Sequence, residues 1–348
     1  MLKTFLKKKF SYLSAPYIIA EIGVNHECSV VLAKKMITDA KKGGAHAIKL
    51  QAYKAETIAS KISPAYWDTK KENTKSQFNL FKKYDKFGEK EFVILHKFCN
   101  KIKIDFLCTP FDLSFVDILN PLVPAFKISS SDITNKPLIE KICKTKKPII
   151  LSTGASSLRE IKTALSWIKK YKNTTVIMHC VLNYPTKDEN ANLGAILKLS
   201  KTFSKNIIGY SDHTIPDKEM RNLTLSWLLG AKVIEKHFTY DKKKIGNDHY
   251  HSMDKKDLRI FAGNVREILK TTGNGKIGYL KTEIISRSNA RRSIYTVNKI
   301  KKGCVVKKSD LICKRPCRGI EPKNYNYLIG KKVKRNLKED TPITWKDI

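Results

Sequence analysis

Eight short apolar runs constrain the fold of this chain more than any other feature of its sequence. Most of them start about 20 to 31 residues apart, and apolar side chains recur with helical spacing in the polar stretches between most of them. A nearly continuous apolar run is typical of a parallel strand that is covered on both faces. The runs occupy residues 17–21, 47–51, 105–109, 125–129, 148–152, 176–180, 207–210 and 232–236.

A strand and a helix repeated eight times predict an α/β fold, a (β/α)8 TIM barrel of about 250 residues. An open doubly wound sheet is the structural alternative, but no GxGxxG sequence follows the first run. The chain has 348 residues, and glycines between 273 and 278 mark a linker before a strand-like segment at 292–297. We therefore predict a catalytic barrel over 1–272, a linker over 273–287 and a small β-rich domain over 288–348.

The gap between the second and third runs is the longest one. Residues 52–104 separate these runs, and the helix that the pattern predicts at 91–103 uses only part of them. Loops of this length are uncommon unless they are functional. We expect the remainder, which includes Pro64, Tyr66 and Trp67, to cross one face of the barrel.

The charge of the chain is strongly positive, with 68 Lys and Arg against 32 Asp and Glu, a net charge of +36. Such a charge suits a basic scaffold that binds polyanions, which is the non-enzymatic alternative. The excess runs through the whole chain, however, and no nucleic-acid-binding motif accompanies it. We interpret it as a lysine-rich surface without a nucleic-acid partner, which helps to attract an anionic substrate.

The sequence also predicts the cellular compartment of the protein. It contains no apolar stretch of about 18 residues, which a membrane span requires, and no signal-peptide pattern. Its 8 cysteines form no CxxC pair, which is typical of free thiols in a reducing compartment. We expect a cytoplasmic protein without a membrane partner.

Polar residues end almost every predicted strand, at the end of the barrel where active sites lie. His213 and His237 end two neighbouring strands, so their imidazoles are predicted to hold one divalent metal ion, although either alone would suit a core histidine. Glu21 could be a metal ligand, a partner of a ligand or a base. Lys49 and Lys127 would be buried and need an anionic partner such as a phosphate or carboxylate, and a Schiff-base lysine is the rival role.

Five segments of the predicted barrel form distinct motifs, at 19–26 (IAEIGVNH), 127–130 (KISS), 150–154 (ILSTG), 210–214 (YSDHT) and 235–238 (EKHF). In the same order along the chain, they resemble segments of the sialic acid (N-acetylneuraminate) synthase family. Residues 292–295 (RSIY) and 300–303 (IKKG) resemble the C-terminal antifreeze-like (SAF) domain of that family, which has a β-clip fold. The resemblance spans nearly the whole chain.

The resemblance implies a reaction between phosphoenolpyruvate and an open-chain N-acetylated hexosamine such as N-acetylmannosamine. C3 of phosphoenolpyruvate attacks the aldehyde carbon, water adds at C2, and phosphate leaves by C–O cleavage. The product is a nine-carbon sialic-type acid. A divalent cation, Mn²⁺ or Mg²⁺, polarises the aldehyde.

The resemblance also implies roles for individual residues. His213 and His237 match the metal ligands, and Glu21 matches the catalytic carboxylate, with Lys49 and Lys127 also counted as catalytic. The phosphoenolpyruvate contacts match Lys49, Thr109, Lys127, Ser130, Ser152, Asn183 and Ser211. The sugar side matches Gln51, Asp132, Tyr184, Asp248 and Arg292. Arg292 matches a catalytic arginine that the SAF domain extends into the partner's site, so the family implies a domain-swapped homodimer.

Two departures from the family pattern bear on the substrate. The family sequence His-Cys-Thr-Asn-Ile-Tyr is replaced by HCVLNY at 179–184, so the asparagine, Asn183, stands one position later. Asp132 replaces a common glutamate and is one methylene shorter. Legionaminic and pseudaminic acid synthases, which share the scaffold, are therefore alternatives. A 3-deoxy-heptulosonate phosphate synthase is a further rival, which would use a sugar phosphate and need no SAF domain.

Overall fold

A parallel sheet forms the frame of the first part of the chain. The computed structural model describes residues 1–8, 10–11, 13–246 and 248–348, and within them this sheet has eight strands. Each strand overlaps one of the predicted apolar runs. The strands are β1 (Tyr17–Gly23), β2 (Ala47–Ala52), β3 (Asp105–Pro110), β4 (Phe126–Ile128), β5 (Ile149–Ser152), β6 (Thr175–Cys180), β7 (Ile207–Asp212) and β8 (Val233–His237).

The order of the strands shows that the sheet curves into a barrel. Hydrogen-bonded neighbours follow the order β3-β2-β1-β8-β7-β6-β5-β4, so the first strand pairs with the last. β3 and β4, at the two ends of this order, lie against each other, although the described residues show no hydrogen-bonded ladder between them. β4 is only 3 residues long. This arrangement confirms the predicted α/β barrel.

Helices connect the strands and cover the outside of the sheet. Their ends follow local sequence signals: Ser157, for example, accepts a hydrogen bond from the Glu160 amide at 3.3 Å, and the Glu160 carboxylate accepts one from the Ser157 amide at 2.7 Å. The helices are α1 (Leu2–Leu6), α2 (Val30–Gly43), α3 (Ala55–Ile58), α4 (Gln77–Tyr84), α5 (Glu89–Lys101), α6 (Leu113–Leu119), α7 (Lys136–Lys144), α8 (Leu158–Tyr171), α9 (Gly194–Thr202), α10 (Arg221–Leu228) and α11 (Lys255–Thr272). The predicted excursion thus contains α3 and α4 ahead of the expected helix, α5.

The N-terminal segment closes the bottom of the barrel, which the sequence did not predict. Leu2 and Phe5 of α1 pack into an apolar cluster with the first residues of the strands, among them Tyr17 and Ile19. The backbone amide of Leu2 donates a hydrogen bond to the Asp105 carboxylate at 2.6 Å. With this end filled, the opposite end of the barrel is the one that is open to a ligand.

Alternation along the strands decides which side chains reach the interior. The alternate residues Tyr17, Ile19 and Glu21 of β1 illustrate it: the first two belong to the interior cluster, and Glu21 lines the cavity above it. Ile18 and Ala20, between them, pack against the helices. On its inner face β1 therefore begins apolar and ends polar, and polar inner-face residues at the ends of other strands, such as Lys49 and Ser152, complete the floor of the site.

The remainder of the chain forms a second compact unit. The two units are Met1–Gly273 and Asn274–Ile348. In the second unit, β9 (Ser293–Thr296) and β10 (Leu311–Lys314) form an antiparallel pair. This unit also contains the short helices α12 (Ile284–Ala290) and α13 (Tyr325–Leu328). Its core includes Ile294, Val306, Leu328 and Ile343. None of the described helices has the length and apolar character needed to cross a bilayer.

Candidate active site

A cavity of about 400 Å³ opens at the carboxyl ends of the barrel strands. This volume suits a small-molecule ligand. The cavity brings together nearly all the residues of the barrel for which the sequence predicted a role. They are Glu21, Lys49, Gln51, Thr109, Lys127, Ser130, Asp132, Ser152, Tyr184, Ser211, His213, His237 and Asp248.

The strand register places three predicted residues in one row. Glu21 on β1 lies opposite Lys49 on β2 and His237 on β8. The Lys49 Nζ is 2.9 Å from Glu21 Oε2, and His237 Nε2 is 3.8 Å from the same oxygen. Gln51 donates a hydrogen bond to Glu21 Oε1 at 3.0 Å. Glu21 therefore lies between an ammonium group, with which it forms an ion pair, and an imidazole.

A second buried carboxylate, Glu235, joins the two lysines. Its Oε1 lies 3.0 Å from Lys49 Nζ and 3.5 Å from Lys127 Nζ, and it accepts a hydrogen bond from Ser211 Oγ at 3.0 Å. Lys127 also donates to Ser152 Oγ at 2.6 Å. The sequence placed Glu235 at a strand end without giving it a role. Alternation was the available signal, since Glu235 and His237 share the inner face of β8.

The burial of these charges shifts their pKa values in different directions. Burial alone would raise the pKa of Glu21, but Lys49 and Lys127 outweigh it and lower the pKa, so the carboxylate stays ionised. Burial would lower the pKa of Lys49, but Glu21 and Glu235 raise it. For Lys127 burial prevails and the pKa is lowered. An anion bound beside Lys127 would oppose this decrease, so the pocket favours anionic ligands there.

Hydroxyl groups surround the lysines. Thr109 Oγ1 accepts a hydrogen bond from Lys49 at 3.4 Å, and Ser130 Oγ accepts one from the Gly154 amide at 2.9 Å. A Cβ atom at position 154 would lie 2.9 Å from Ser130 Oγ, which is too close. Glycine at this position therefore allows the β5 loop to approach the Ser130 side chain.

The predicted histidine pair lies on the other side of Glu21. The ring centroids of His213 and His237 are 5.3 Å apart. His213 Nδ1 lies 2.7 Å from the Val181 carbonyl and donates a hydrogen bond to it, so Nε2 is the nitrogen available to a metal ion when the ring is neutral. His237 Nδ1 is 3.4 Å from Asp248 Oδ2. Burial, followed by the charge of Glu21, raises the pKa of Asp248 to about 7.

These donors fit a divalent cation. A neutral imidazole nitrogen and a carboxylate oxygen are ligands that transition-metal ions accept. Among the described residues, His237, Asp248 and His251 form a group whose ligand atoms all lie within 4.8 Å of one another. The sequence had assigned Asp248 to the sugar and had given His251 no role.

An aromatic wall, defined as Tyr53, Tyr66, Trp67, Phe81 and Tyr84, lines the outer part of the cavity. The sequence predicted that the excursion crosses one face of the barrel but did not assign these side chains to a site. The Tyr66 and Tyr184 rings approach to 6.1 Å between centroids. The site therefore has a charged floor and an apolar upper wall.

Two residues that the sequence assigned to the active site, Asn183 and Arg292, do not line the cavity. Asn183 is exposed and does not line the cavity, whereas Leu182 does. Leu182 occupies the position at which the family sequence carries its asparagine, so the shift noted in the sequence replaces a polar wall residue by an apolar one. Arg292 belongs to the second unit, where it is exposed and donates a hydrogen bond to the Cys313 carbonyl at 3.2 Å.

Comparison with known proteins identifies the family. Residues 36–277 match the model of the NeuB family. The chain belongs to the NeuB family. Residues 291–348 match the SAF domain, which confirms the resemblance of the C-terminal segment.

Relatives of this NeuB chain agree with that assignment. It is 39% identical to the N,N'-diacetyllegionaminic acid synthase of Campylobacter jejuni, over 94% of this chain and 98% of the relative. The Legionella pneumophila enzyme of the same name is 34% identical, over 95% and 94%. A crystal structure of N-acetylneuraminic acid synthetase from Leptospira borgpetersenii is 36% identical, with a TM-score of 0.69 over 78% of this chain and 90% of the other. The chain is therefore a transferase of the nonulosonic acid synthase type, which confirms the prediction of an enzyme.

Proposed function

We propose that this enzyme condenses phosphoenolpyruvate with an N-acetylated hexosamine and releases phosphate, forming a nonulosonic acid. The observation that carries the proposal is the arrangement of two buried lysines around Glu235 on one side of Glu21, with His213 and His237 on the other. One side suits a trianionic substrate, and the other suits a carbonyl oxygen. Glu21 lies between the two.

The lysines and the hydroxyl groups bind the carboxylate and phosphate of phosphoenolpyruvate. Lys127 and Lys49 supply charge-assisted hydrogen bonds, and the hydroxyls orient the two anionic groups. The hydroxyls belong to Thr109, Ser130, Ser152 and Ser211. Fixing both substrates in one cavity supplies a large part of the rate, because C3 is held against the aldehyde carbon.

The histidine side receives the acceptor sugar. His213 and His237 hold a divalent cation, Mn²⁺ or Mg²⁺, which when bound polarises the aldehyde oxygen. Gln51, Asp132 and Tyr184 contact the sugar. Glu21, kept ionised by the lysines, accepts one proton of the water that adds at C2 and passes it to the alkoxide that forms when C3 attacks the aldehyde. The second proton of the water leaves with the phosphate when the C2–O bond breaks and the C2 ketone forms.

The acceptor carries acetamido groups. Relatives named for N,N'-diacetyllegionaminic acid support a sugar with two of them, and the aromatic wall offers the second an apolar surface. N-acetylmannosamine and the pseudaminic-type acceptor are the alternatives, because relatives are named for N-acetylneuraminic acid and for pseudaminic acid. Asp132 and Leu182, which differ from the family pattern, line the same cavity.

A product assay tests this function. The protein is incubated with phosphoenolpyruvate, Mn²⁺ and each of several N-acetylated hexosamines, and products are identified by mass spectrometry. We expect phosphate release together with a nine-carbon acid, with the di-N-acetylated acceptor preferred. Phosphate release with erythrose 4-phosphate alone would instead indicate a heptulosonate phosphate synthase. Salt-sensitive nucleic-acid binding without turnover would indicate the polyanion scaffold.

We also propose that the active enzyme is a domain-swapped homodimer in which Arg292 contacts the sugar bound by the partner. The family resemblance supports this arrangement, and so does the exposure of Arg292, which donates a hydrogen bond to a backbone carbonyl rather than to a carboxylate. Among the described residues this exposed guanidinium has no carboxylate partner, so its remaining N–H groups are available to the oxygen atoms of a sugar.

Subunit complementation tests the swapped dimer. Arg292→Ala and Glu21→Ala are each expected to be nearly inactive alone. In a heterodimer of the two, one site has both residues if Arg292 acts in trans, so one of the two sites should regain activity. Differently tagged subunits allow the heterodimer to be isolated and assayed. An inactive, verified heterodimer would contradict the proposal.

A further inference from the structure

His251 is a buried polar side chain that the proposed chemistry does not use. It lies in the short turn His249–His251 and has 0% of its surface exposed. Within the described part of the chain, neither of its ring nitrogens has a hydrogen-bond partner. Leaving a buried polar group unsatisfied destabilises the folded state, so a ligand that engages this ring would offset that cost.

The surroundings of His251 are those of a cation site. Its Nε2 lies 3.7 Å from Asp248 Oδ1, and the His237 ring centroid is 5.2 Å away. His237 Nδ1 also lacks a hydrogen-bond partner among the described residues, and it faces Asp248 Oδ2 at 3.4 Å. Three side chains from two parts of the chain thus direct donor atoms toward a common point.

The spacing of these atoms suits one ion. In the octahedral geometry that Mg²⁺ and Mn²⁺ prefer, ligands about 2.1 Å from the ion lie about 3.0 Å from one another when adjacent and about 4.2 Å when opposite. The 3.4 Å between His237 and Asp248 falls between these two values, and the three ligand atoms lie within 4.8 Å of one another in all. The neighbouring aromatic ring of Tyr184, whose centroid is 5.6 Å from that of His251, leaves one side of the ring apolar.

We propose that His251 is a protein ligand of the divalent cation, which it binds together with Asp248 and His237. The inference rests on the proposed function only in placing the cation in the same cavity. It adds a ligand to the pair that the sequence predicted. An additional imidazole strengthens binding and shifts preference from Mg²⁺, which favours oxygen ligands, toward Mn²⁺, Co²⁺ or Zn²⁺.

Direct metal binding tests this inference without substrates. The full-length, metal-stripped enzyme is titrated with Mn²⁺ by calorimetry and with Co²⁺ by absorption spectroscopy. His251→Gln keeps a polar side chain of similar size, and His251→Ala removes it. We expect the Kd for both ions to rise by at least about 10-fold, and the Co²⁺ absorption bands to change because a nitrogen ligand is lost.

His249→Gln is the matched control. His249 lies in the same turn and is also buried, but its Nδ1 is paired with Thr239 Oγ1 at 2.7 Å. Its replacement should leave the Kd and the Co²⁺ spectrum unchanged. Thermal unfolding of each variant identifies any that does not fold.

Different outcomes separate this inference from the proposed function. A folded His251→Gln protein with the wild-type Kd and Co²⁺ spectrum would overturn the inference even if the enzyme makes a nonulosonic acid. Metal binding that depends on His251 in an enzyme that does not use phosphoenolpyruvate would support the ligand and contradict the function. Failure of the wild-type protein to bind either ion would overturn the inference.

Discussion

Replacing Lys127 by methionine is expected to lower kcat/KM for phosphoenolpyruvate by about 1,000-fold. Lys127 is 3% exposed and donates to Ser152, so its charge acts in a water-poor site. Losing about two charge-assisted hydrogen bonds to the substrate costs about 4 kcal/mol, which corresponds to about 1,000-fold in rate. Steady-state kinetics with varied phosphoenolpyruvate at a saturating acceptor concentration measure the effect.

The matched control is Lys141→Met. Lys141 also pairs with a carboxylate, Asp117, at 2.6 Å, but this pair lies on the surface. Its loss should leave kcat/KM unchanged. A Lys127→Met enzyme that folds and retains near wild-type kcat/KM would exclude Lys127 from the phosphoenolpyruvate site. Equal losses in both variants would point to the net charge of the protein rather than to a contact.

The strand pattern was sufficient to predict much of the candidate site. Apolar runs of regular spacing predict a barrel, and a barrel requires polar strand ends to converge. Glu21, Lys49 and His237 converge as expected, because parallel pairing places them opposite one another. What a run alone does not show is which of its polar residues face inward.

Alternation supplies that missing distinction. Asp212 and Lys236 lie within the family-like segments at the ends of β7 and β8, yet they do not line the cavity, whereas their inner-face neighbours Ser211 and His237 do. Their position one residue out of phase places them between the sheet and the helices. A strict period-2 count along each strand would have separated the two sets.

A period-2 count along one strand does not predict contacts between distant segments of the chain. The role of Glu235 depends on two lysines that lie on other strands, and that of His251 on a turn beyond the last strand that approaches His237. Similarly, α1 closes the bottom of the barrel, where the backbone amide of Leu2 donates a hydrogen bond to the Asp105 carboxylate. Each requires the tertiary arrangement, which no local pattern encodes.

The pair of Asp212 and Lys236 is a structural element rather than a catalytic one. Both side chains are 1% exposed and lie 2.7 Å apart. Asp212 Oδ1 also accepts hydrogen bonds from the Tyr210 hydroxyl at 2.8 Å and the Thr214 amide at 2.9 Å. Burial would raise the pKa of Asp212, but Lys236 outweighs it, and the pKa is lowered. The ionised carboxylate therefore stabilises the folded state.

Asp212→Asn is consequently expected to lower the free energy of unfolding by about 3–5 kcal/mol at pH 7, because it leaves the buried Lys236 charge uncompensated. Urea denaturation followed by circular dichroism and by fluorescence measures the change. Because the folded pKa of Asp212 is below the unfolded value of about 3.9, the difference from wild type should persist down to about pH 4. It should then shrink as the pH falls toward the folded pKa. Asp117→Asn, which breaks the exposed pair with Lys141, should have little effect. Equal stability of Asp212→Asn and wild type at pH 7 would show that this buried pair contributes no net stability to the barrel.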